Sequence, residues 1–188
     1  FIRVAEKSDL IHELTAVLLR KALAFMERSD TRVGVSFNLS ARDLASPDAV
    51  ERIRQIVLQS QVDPSRLTFE VTETAVIEDF AKGRAALSQL SALGAKIALD
   101  DFGTGYSSLH CIHQLPLNSV KVDRTFVGNI EQDRLAQGIV RTIVELCRNL
   151  TLSCVIEGVE TERQAAALAE LGCTFMQGYH FGMPAAMD

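Results

Sequence analysis

Short, apolar, β-branched runs alternate with segments of helical period from one end of this chain to the other. Leu14, Leu18, Ala22 and Phe25 recur at helical spacing and predict a helix over 10–28. A strand over 33–39 follows. Ser46-Pro47-Asp48 then supplies an N-cap, a proline at the first helical position and an acid in the first turn of a helix carrying Val50, Ile53, Ile56 and Val57. Asp63-Pro64 is expected to end that helix, and after it come a strand over 67–72, a helix over 78–93 stopped by Gly94, and a strand over 96–99. The order repeats with a helix over 107–114, a strand over 119–122, a helix over 133–149 and a strand over 152–156. Thr161-Glu162-Arg163-Gln164 is a capping box that opens a last helix ending at Gly172, before a strand over 174–178. Strands joined in this way, with no Pro/Gly/Ser-rich linker, predict a parallel sheet buried on both faces. A doubly wound open sheet and a (β/α) barrel both satisfy the pattern.

The polar residues decide between them. The strands end in Asn38-Leu39-Ser40, Glu70-Val71-Thr72-Glu73, Asp100-Asp101, Lys121-Val122-Asp123, Glu157-Gly158-Val159-Glu160 and Gln177-Gly178-Tyr179. A barrel gathers all its strand ends on one face, where its chemistry sits. An open sheet has a crevice only at its switch point, so polar ends on every strand favour the barrel. Converging Asn, Glu and Asp residues are hard oxygen donors carrying more negative charge than they can hold unpaired, which calls for Mg²⁺ or Mn²⁺. One carboxylate bridging two ions about 3.5 to 4 Å apart would form the two-metal arrangement that cleaves phosphodiesters. Asp100 and Asp101 are adjacent, so a bend is needed for both to face one pocket, and Gly103 and Gly105 permit it. Lys121, between Val120 and Val122, is expected to point inward and need these acids as partners.

Each such residue has a plainer reading. An acid or Asn after a strand is often a helix cap, but six in step are harder to explain that way. Gly103-x-Gly105 lacks the third glycine of a dinucleotide fingerprint, Ser108 standing in its place. His110-x-x-His113 reads as surface or packing, and His12 and His180 carry no signal. Cys111, Cys147, Cys154 and Cys173 are spread singly and read as buried thiols of a reducing compartment.

Composition bounds the rest. With 47% hydrophobic residues and a mean hydropathy of +0.13, long disorder is excluded. Nineteen basic against 24 acidic residues give a net charge of −5, so no general basic surface awaits a nucleic-acid polymer. Apolar runs stay far below the roughly 20 residues that cross a bilayer, so a cytoplasmic domain without membrane contact of its own is expected, though its parent protein could be anchored. The 188 residues fall short of the about 200 to 250 that a (β/α) barrel usually takes. Phe1-Ile2-Arg3-Val4 has neither initiator Met nor signal layout and reads as a chain entered partway.

The strand-end motifs, above all Asp100-Asp101-Phe102-Gly103-Thr104-Gly105-Tyr106-Ser107-Ser108, resemble in order and spacing the EAL domains of bacterial cyclic-di-GMP phosphodiesterases. Phe1-Ile2-x-x-Ala5-Glu6 is similar to the segment that follows the family's name-giving motif. The resemblance covers essentially the whole chain. It implies a (β/α)8 TIM-like barrel spanning 1–188 whose first two strands are missing from this chain, one of them carrying a metal ligand. The implied reaction is hydrolysis of cyclic di-GMP to linear pGpG with two Mg²⁺ or Mn²⁺ ions. Carried over by position, Asn38, Glu70, Asp100, Asp101 and Glu157 are implied metal ligands, with Asp100 bridging. Lys121 is implied to hold and help activate the attacking water, Asp123 to support that water or the neighbouring ion, and Glu73 and Glu160 to support the site, Glu73 by anchoring the loop from Asp101 to Ser108. Gln177, Gly178 and Asp101 are implied to meet substrate. The resemblance also implies a homodimer through the Asp101–Ser108 loop region, and regulatory or cyclase-like domains elsewhere in the parent chain.

Two departures stand out. The glutamate of Glu-Ala-Leu and a substrate-contacting arginine belong before Phe1, and Phe181-Gly182-Met183-Pro184 lacks the arginine often found before that proline. The alternative to an enzyme is therefore a catalytically weak or inactive receptor that binds cyclic di-GMP and signals through conformation. A metal-dependent barrel acting on another phosphoester is a third reading.

Overall fold

The computed structural model describes residues 5, 8–29, 33–103 and 109–185. The chain divides into two compact units, Phe1–Ala98 with Ser108–Leu117, and Leu99–Ser107 with Asn118–Asp188. The hydrogen-bonded strand order follows the chain, β1 to β6.

In the first unit, α1 (Leu10–Arg28) leads to β1 (Val35–Asn38). Two helices follow, α2 (Ala41–Ala45) and α3 (Pro47–Gln59). The Ser46 hydroxyl accepts from the Ala49 amide as the N-cap of α3, with Pro47 in its first turn, as the sequence predicts. β2 (Leu67–Thr72) runs parallel to β1, pairing Val35 with Leu67 and Asn38 with Glu70. Paired residues of parallel neighbours project to the same face, so Asn38 and Glu70 share one. Phe37 meets Phe69 edge to face at 6.5 Å. Leu19, Leu23 and Met26 of α1, Ile53 and Val57 of α3, and Leu67, Phe69 and Val71 of β2 are buried in this unit's core.

The helix expected over 78–93 is α5 (Phe80–Ser91), and a further short helix, α4 (Glu73–Ile77), precedes it. Each has its own cap. The Thr72 hydroxyl accepts from the Ala75 amide at 3.3 Å, and Asp79 accepts from the Lys82 amide at 3.2 Å. α2 was not expected, because a five-residue helix carries no periodic signal.

β3 (Lys96–Phe102) begins in the first unit and ends in the second, running three residues past its expected end at 99. After it come α6 (Leu109–Gln114) in the first unit and β4 (Ser119–Val122) in the second. The second unit continues with α7 (Arg134–Asn149), β5 (Ser153–Ile156), α8 (Glu162–Glu170) and β6 (Phe175–Met176). β4, β5 and β6 are parallel neighbours, with Lys121 opposite Val155 and Ile156 opposite Met176. α7 starts on Asp133, which accepts from the amides of Leu135 and Ala136, and α8 starts on the expected capping box. Val120, Val122, Ile130, Val140, Ile156 and Leu168 are buried here. Cys147, Cys154 and Cys173 are buried free thiols, as expected; burial pushes Cys173 up to about 11. The side chain of Cys111 lies outside the described residues.

Candidate metal centre

The end of β3 is where regular strand geometry gives way. In an undisturbed strand Asp100 and Asp101 would face opposite sides. Asp101 instead has φ +54°, in the left-handed region that aspartate tolerates better than most residues. The bend that the sequence assigns to Gly103 and Gly105 thus includes Asp101 itself; Gly103 has φ +97°, and Gly105 lies outside the described residues. The left-handed backbone at the second aspartate breaks the alternation, and Asp100 and Asp101 each bring a carboxylate oxygen within 4.8 Å of the other and of one on Glu157.

Lys121 stands among these acids. Its Nζ lies 2.7 Å from Glu157 Oε1 and 3.2 Å from Asp100 Oδ1, with only 8% of its side chain exposed. The inward lysine that the sequence predicts is present, paired as expected. Its single charge does not balance the acids around it. Burial, then the charges of Asp100 and Asp123, hold the Asp101 carboxyl above its ordinary range, with Lys121 pulling the other way. Asp123 goes in the opposite direction. Partial burial raises it, but hydrogen bonds from Thr125 and the amide of Arg124 outweigh that and leave its carboxyl below the usual range. The Thr125 amide donates to Asp123 Oδ1 at 2.9 Å, which makes Asp123 the cap of the short 3-10 turn Arg124–Phe126.

These residues fit a hard divalent cation. Asp100 Oδ1 is buried and, among the described residues, accepts no hydrogen bond despite its ion pair with Lys121. Lys121 supplies one positive charge to it and to Glu157, which leaves the negative charge of three clustered carboxylates only partly offset. The cluster is all oxygen, the donor set of Mg²⁺ or Mn²⁺ rather than of zinc.

Close backbone contacts fix the loops that carry these groups. Glu157 N–H donates to the Val122 carbonyl at 3.0 Å. Gly158 has φ +73°, and a Cβ there would meet Arg124 Cα at 3.2 Å and collide with its Cβ. At Gly178 a Cβ would fall on the backbone of Val159, whose amide donates to the Gln177 carbonyl at 3.1 Å. Gln164 Oε1 accepts from the amides of Glu160 and Thr161 at 2.8 and 3.1 Å. The loops after β4, β5 and β6 are therefore stacked backbone on backbone.

The remaining expected site residues are distributed as follows. In the first unit Asn38 and Glu70 are register partners, Asn38 exposed and Glu70 buried, and Glu73 is buried at the start of α4. In the second unit the side chains of Glu160 and Gln177 are exposed, and Gln177 borders a groove with Phe175 and Phe181. Residues 104–108 of the loop expected to form a dimer contact lie outside the described residues. Sequence reading passed over Asp43 and His12: Asp43 is 1% exposed, and His12 Nδ1 lies 2.8 Å from its Oδ1. The Ser40-x-x-Asp43 spacing of a capping box was the available signal for Asp43; nothing local marks His12.

Comparison with known proteins sets this geometry in a family. A family model of the EAL domain matches residues 1–184. MucR of Pseudomonas aeruginosa, a bifunctional diguanylate cyclase/cyclic di-GMP phosphodiesterase, is 38% identical over 188 residues, covering 98% of this chain and 27% of MucR. RocR of the same species, a cyclic di-GMP phosphodiesterase, is 34% identical over 187 residues, covering 98% of this chain and 48% of RocR. The structure of the PaMucR phosphodiesterase in complex with c-di-GMP matches with a TM-score of 0.89 at 39% identity, over 98% of this chain and 76% of that one. The manganese/cy-diGMP complex of Klebsiella pneumoniae BlrP1 matches at 0.84 and 31% identity, over 92% and 44%. The chain spans between about a fifth and a half of the curated relatives it matches. The α/β fold of parallel strands and alternating helices is of the (β/α)8 barrel class, as the strand ends predict. With the match running from residue 1 to 184 and relatives above 30% identity over nearly its full length, the chain belongs to the EAL domain family.

Proposed function

We propose that this chain is a metal-dependent phosphodiesterase that hydrolyses cyclic di-GMP to linear pGpG. The observation that carries the reading is the meeting of Asp100, Asp101 and Glu157 around buried Lys121, three carboxylates against one ammonium. Named activities of RocR and MucR support the substrate, and the manganese complex of BlrP1 supports a divalent ion.

Asn38, Glu70, Asp100, Asp101 and Glu157 are the proposed ligands of two ions, Mg²⁺ or Mn²⁺. Bound there, such ions neutralise charge that builds on phosphoryl oxygens and lower the pKa of water. Lys121 keeps Asp100 and Glu157 together and offers N–H groups to hold a water beside them. Asp123, kept ionised by its Thr125 hydrogen bonds, is suited to accept a hydrogen bond from that water. The water oxygen bonds to phosphorus, one ring P–O bond to ribose breaks, a carboxylate of the cluster takes the proton water loses, and the departing oxygen gains one from solvent. Gln177, Gly178 and Asp101 are proposed to contact the dinucleotide, while Glu73 and Glu160 brace the groups around them.

We infer further that the complete protein joins this domain to regulatory or cyclase-like modules, as MucR does by its name, dimerises through the 101–108 region and works in the cytoplasm. Among the described residues no helix is long and apolar enough to cross a membrane. The test is incubation of the full protein with cyclic di-GMP and Mg²⁺ or Mn²⁺, following pGpG by chromatography with and without EDTA. The expected result is pGpG that disappears with the chelator. Tight binding without turnover would make the protein a receptor, and absent binding would contradict both readings.

A further inference from the structure

The turn that follows β1 is pinned from two sides within the first unit. On one side the Leu39 amide donates to the Glu70 carbonyl at 2.9 Å. On the other, Ser40 gives Asp43 Oδ2 both its amide, at 3.2 Å, and its hydroxyl, at 2.6 Å, while the Asp43 amide donates back to the Ser40 oxygen at 3.1 Å. A capping box needs no more than these contacts. Asp43 nevertheless takes two more partners from α1, far away in sequence: the buried Thr15 hydroxyl donates to Oδ2 at 3.0 Å, and His12 Nδ1 lies 2.8 Å from Oδ1. With 1% of Asp43 exposed, each of these donors would lose a partner that water cannot easily replace. The carboxylate is thus a rigid joint between α1 and the Asn38-Leu39-Ser40 segment.

We propose that Asp43 is a positioning residue for Asn38, carrying the placement of α1, through His12 and Thr15, to the end of β1 where Asn38 is to meet a divalent ion. This rests on the reading of Asn38 as a ligand. A capping residue of α2 alone would affect only folding. A positioning residue must also change how well the folded protein binds metal, and must do so through Asn38. Partners that orient a ligand typically affect metal affinity by about 10- to 100-fold when removed.

The experiment is a Mn²⁺ titration of the full protein, read by the electron paramagnetic resonance of free Mn²⁺ in the absence of nucleotide. Wild type, Asn38→Ala, Asp43→Asn and the double variant are compared, with thermal melting run in parallel. Each single variant is expected to weaken Mn²⁺ binding by about 10-fold, and the double variant to bind no more weakly than Asn38→Ala alone. Unchanged affinity in folded Asp43→Asn, even with a lower melting temperature, overturns the proposal, and so do losses that add in the double variant. If Asn38→Ala itself leaves Mn²⁺ binding unchanged, the ligand reading of Asn38 fails and this inference fails with it. Should Asp43→Asn not fold, Thr15→Val and His12→Gln test the same joint from its α1 side. A several-fold weakening that vanishes in the Asn38→Ala background supports it, and no weakening in either overturns it.

Discussion

Lys121 and Glu157 meet at 2.7 Å, the lysine within β4 and the glutamate one residue beyond β5, so the contact spans two adjacent parallel strands. Lys121 also holds Asp100, so one buried ammonium offsets charge that a divalent ion is suited to balance. Lys121→Met therefore strips the ammonium that pairs with both Asp100 and Glu157. Breaking a buried pair by removing one partner costs about 3 to 5 kcal/mol, and somewhat less here because water reaches Asp100 and Glu157 in part. Urea unfolding of the metal-free variant should show a loss of about 2 to 4 kcal/mol, part of which saturating Mn²⁺ restores. Equal stability of the two proteins with and without Mn²⁺ would refute the neutralising role.

Asp101 carries the opposite signature. Its carboxyl is held above its ordinary range, so the folded state binds that proton more tightly than the unfolded chain. The cost of ionising it is absent below the ordinary carboxylate pKa and is fully present above the raised one. Asp101→Asn should therefore raise the melting temperature of metal-free protein near neutral pH, by roughly 1 to 3 °C, and the gain should fade as pH falls through that window. The same variant should bind Mn²⁺ more weakly. Melting curves across pH that show no gain, or a gain that grows toward acid, would contradict this.

Gly158 tests the stacked loops. Alanine there must hold a positive φ and move the Arg124 side chain and backbone apart. Strain and overpacking together are expected to cost about 2 to 4 kcal/mol. Because Glu157 is its neighbour, Mn²⁺ binding should weaken in the protein that remains folded. Calorimetry of Gly158→Ala showing wild-type melting would contradict the close approach.

Asp133 separates stability from chemistry. It caps α7 with two amide hydrogen bonds and makes none of the contacts of the acid cluster. Asp133→Ala should lower unfolding free energy by about 1 kcal/mol, while Mn²⁺ affinity and any pGpG formation per folded molecule stay as in wild type. A fall in affinity without a fall in stability would show that the cap has a further role.

Much of this was legible before the structure, and the exceptions have physical reasons. The extents of α1, β2 and β4 follow from local periodicity and the start of α3 from its cap, whereas α3 stops at Gln59, short of the expected end at Asp63-Pro64, because Ser60 turns extended. The pairing of Lys121 with acids could be foreseen because an inward lysine in a buried strand has few other solutions. The short α4 is not foreseeable from periodicity, because five residues opened by the Thr72 cap carry no repeat. The positive φ of Gly103 is legible from its residue type, whereas that of Asp101 is not, since a left-handed aspartate leaves no mark in sequence. Asp43 drew no notice because two of its four partners come from a helix 28 and 31 residues away, a relation only the fold creates.

The central claim is that Asp100, with Asp101 and Glu157, makes this chain a metal-dependent phosphodiesterase. Its most direct test compares pGpG released from cyclic di-GMP by the full wild-type protein and by Asp100→Asn under saturating Mn²⁺. The account predicts steady release by wild type and a loss of roughly 10³-fold or more in the variant. Turnover that survives Asp100→Asn would contradict it.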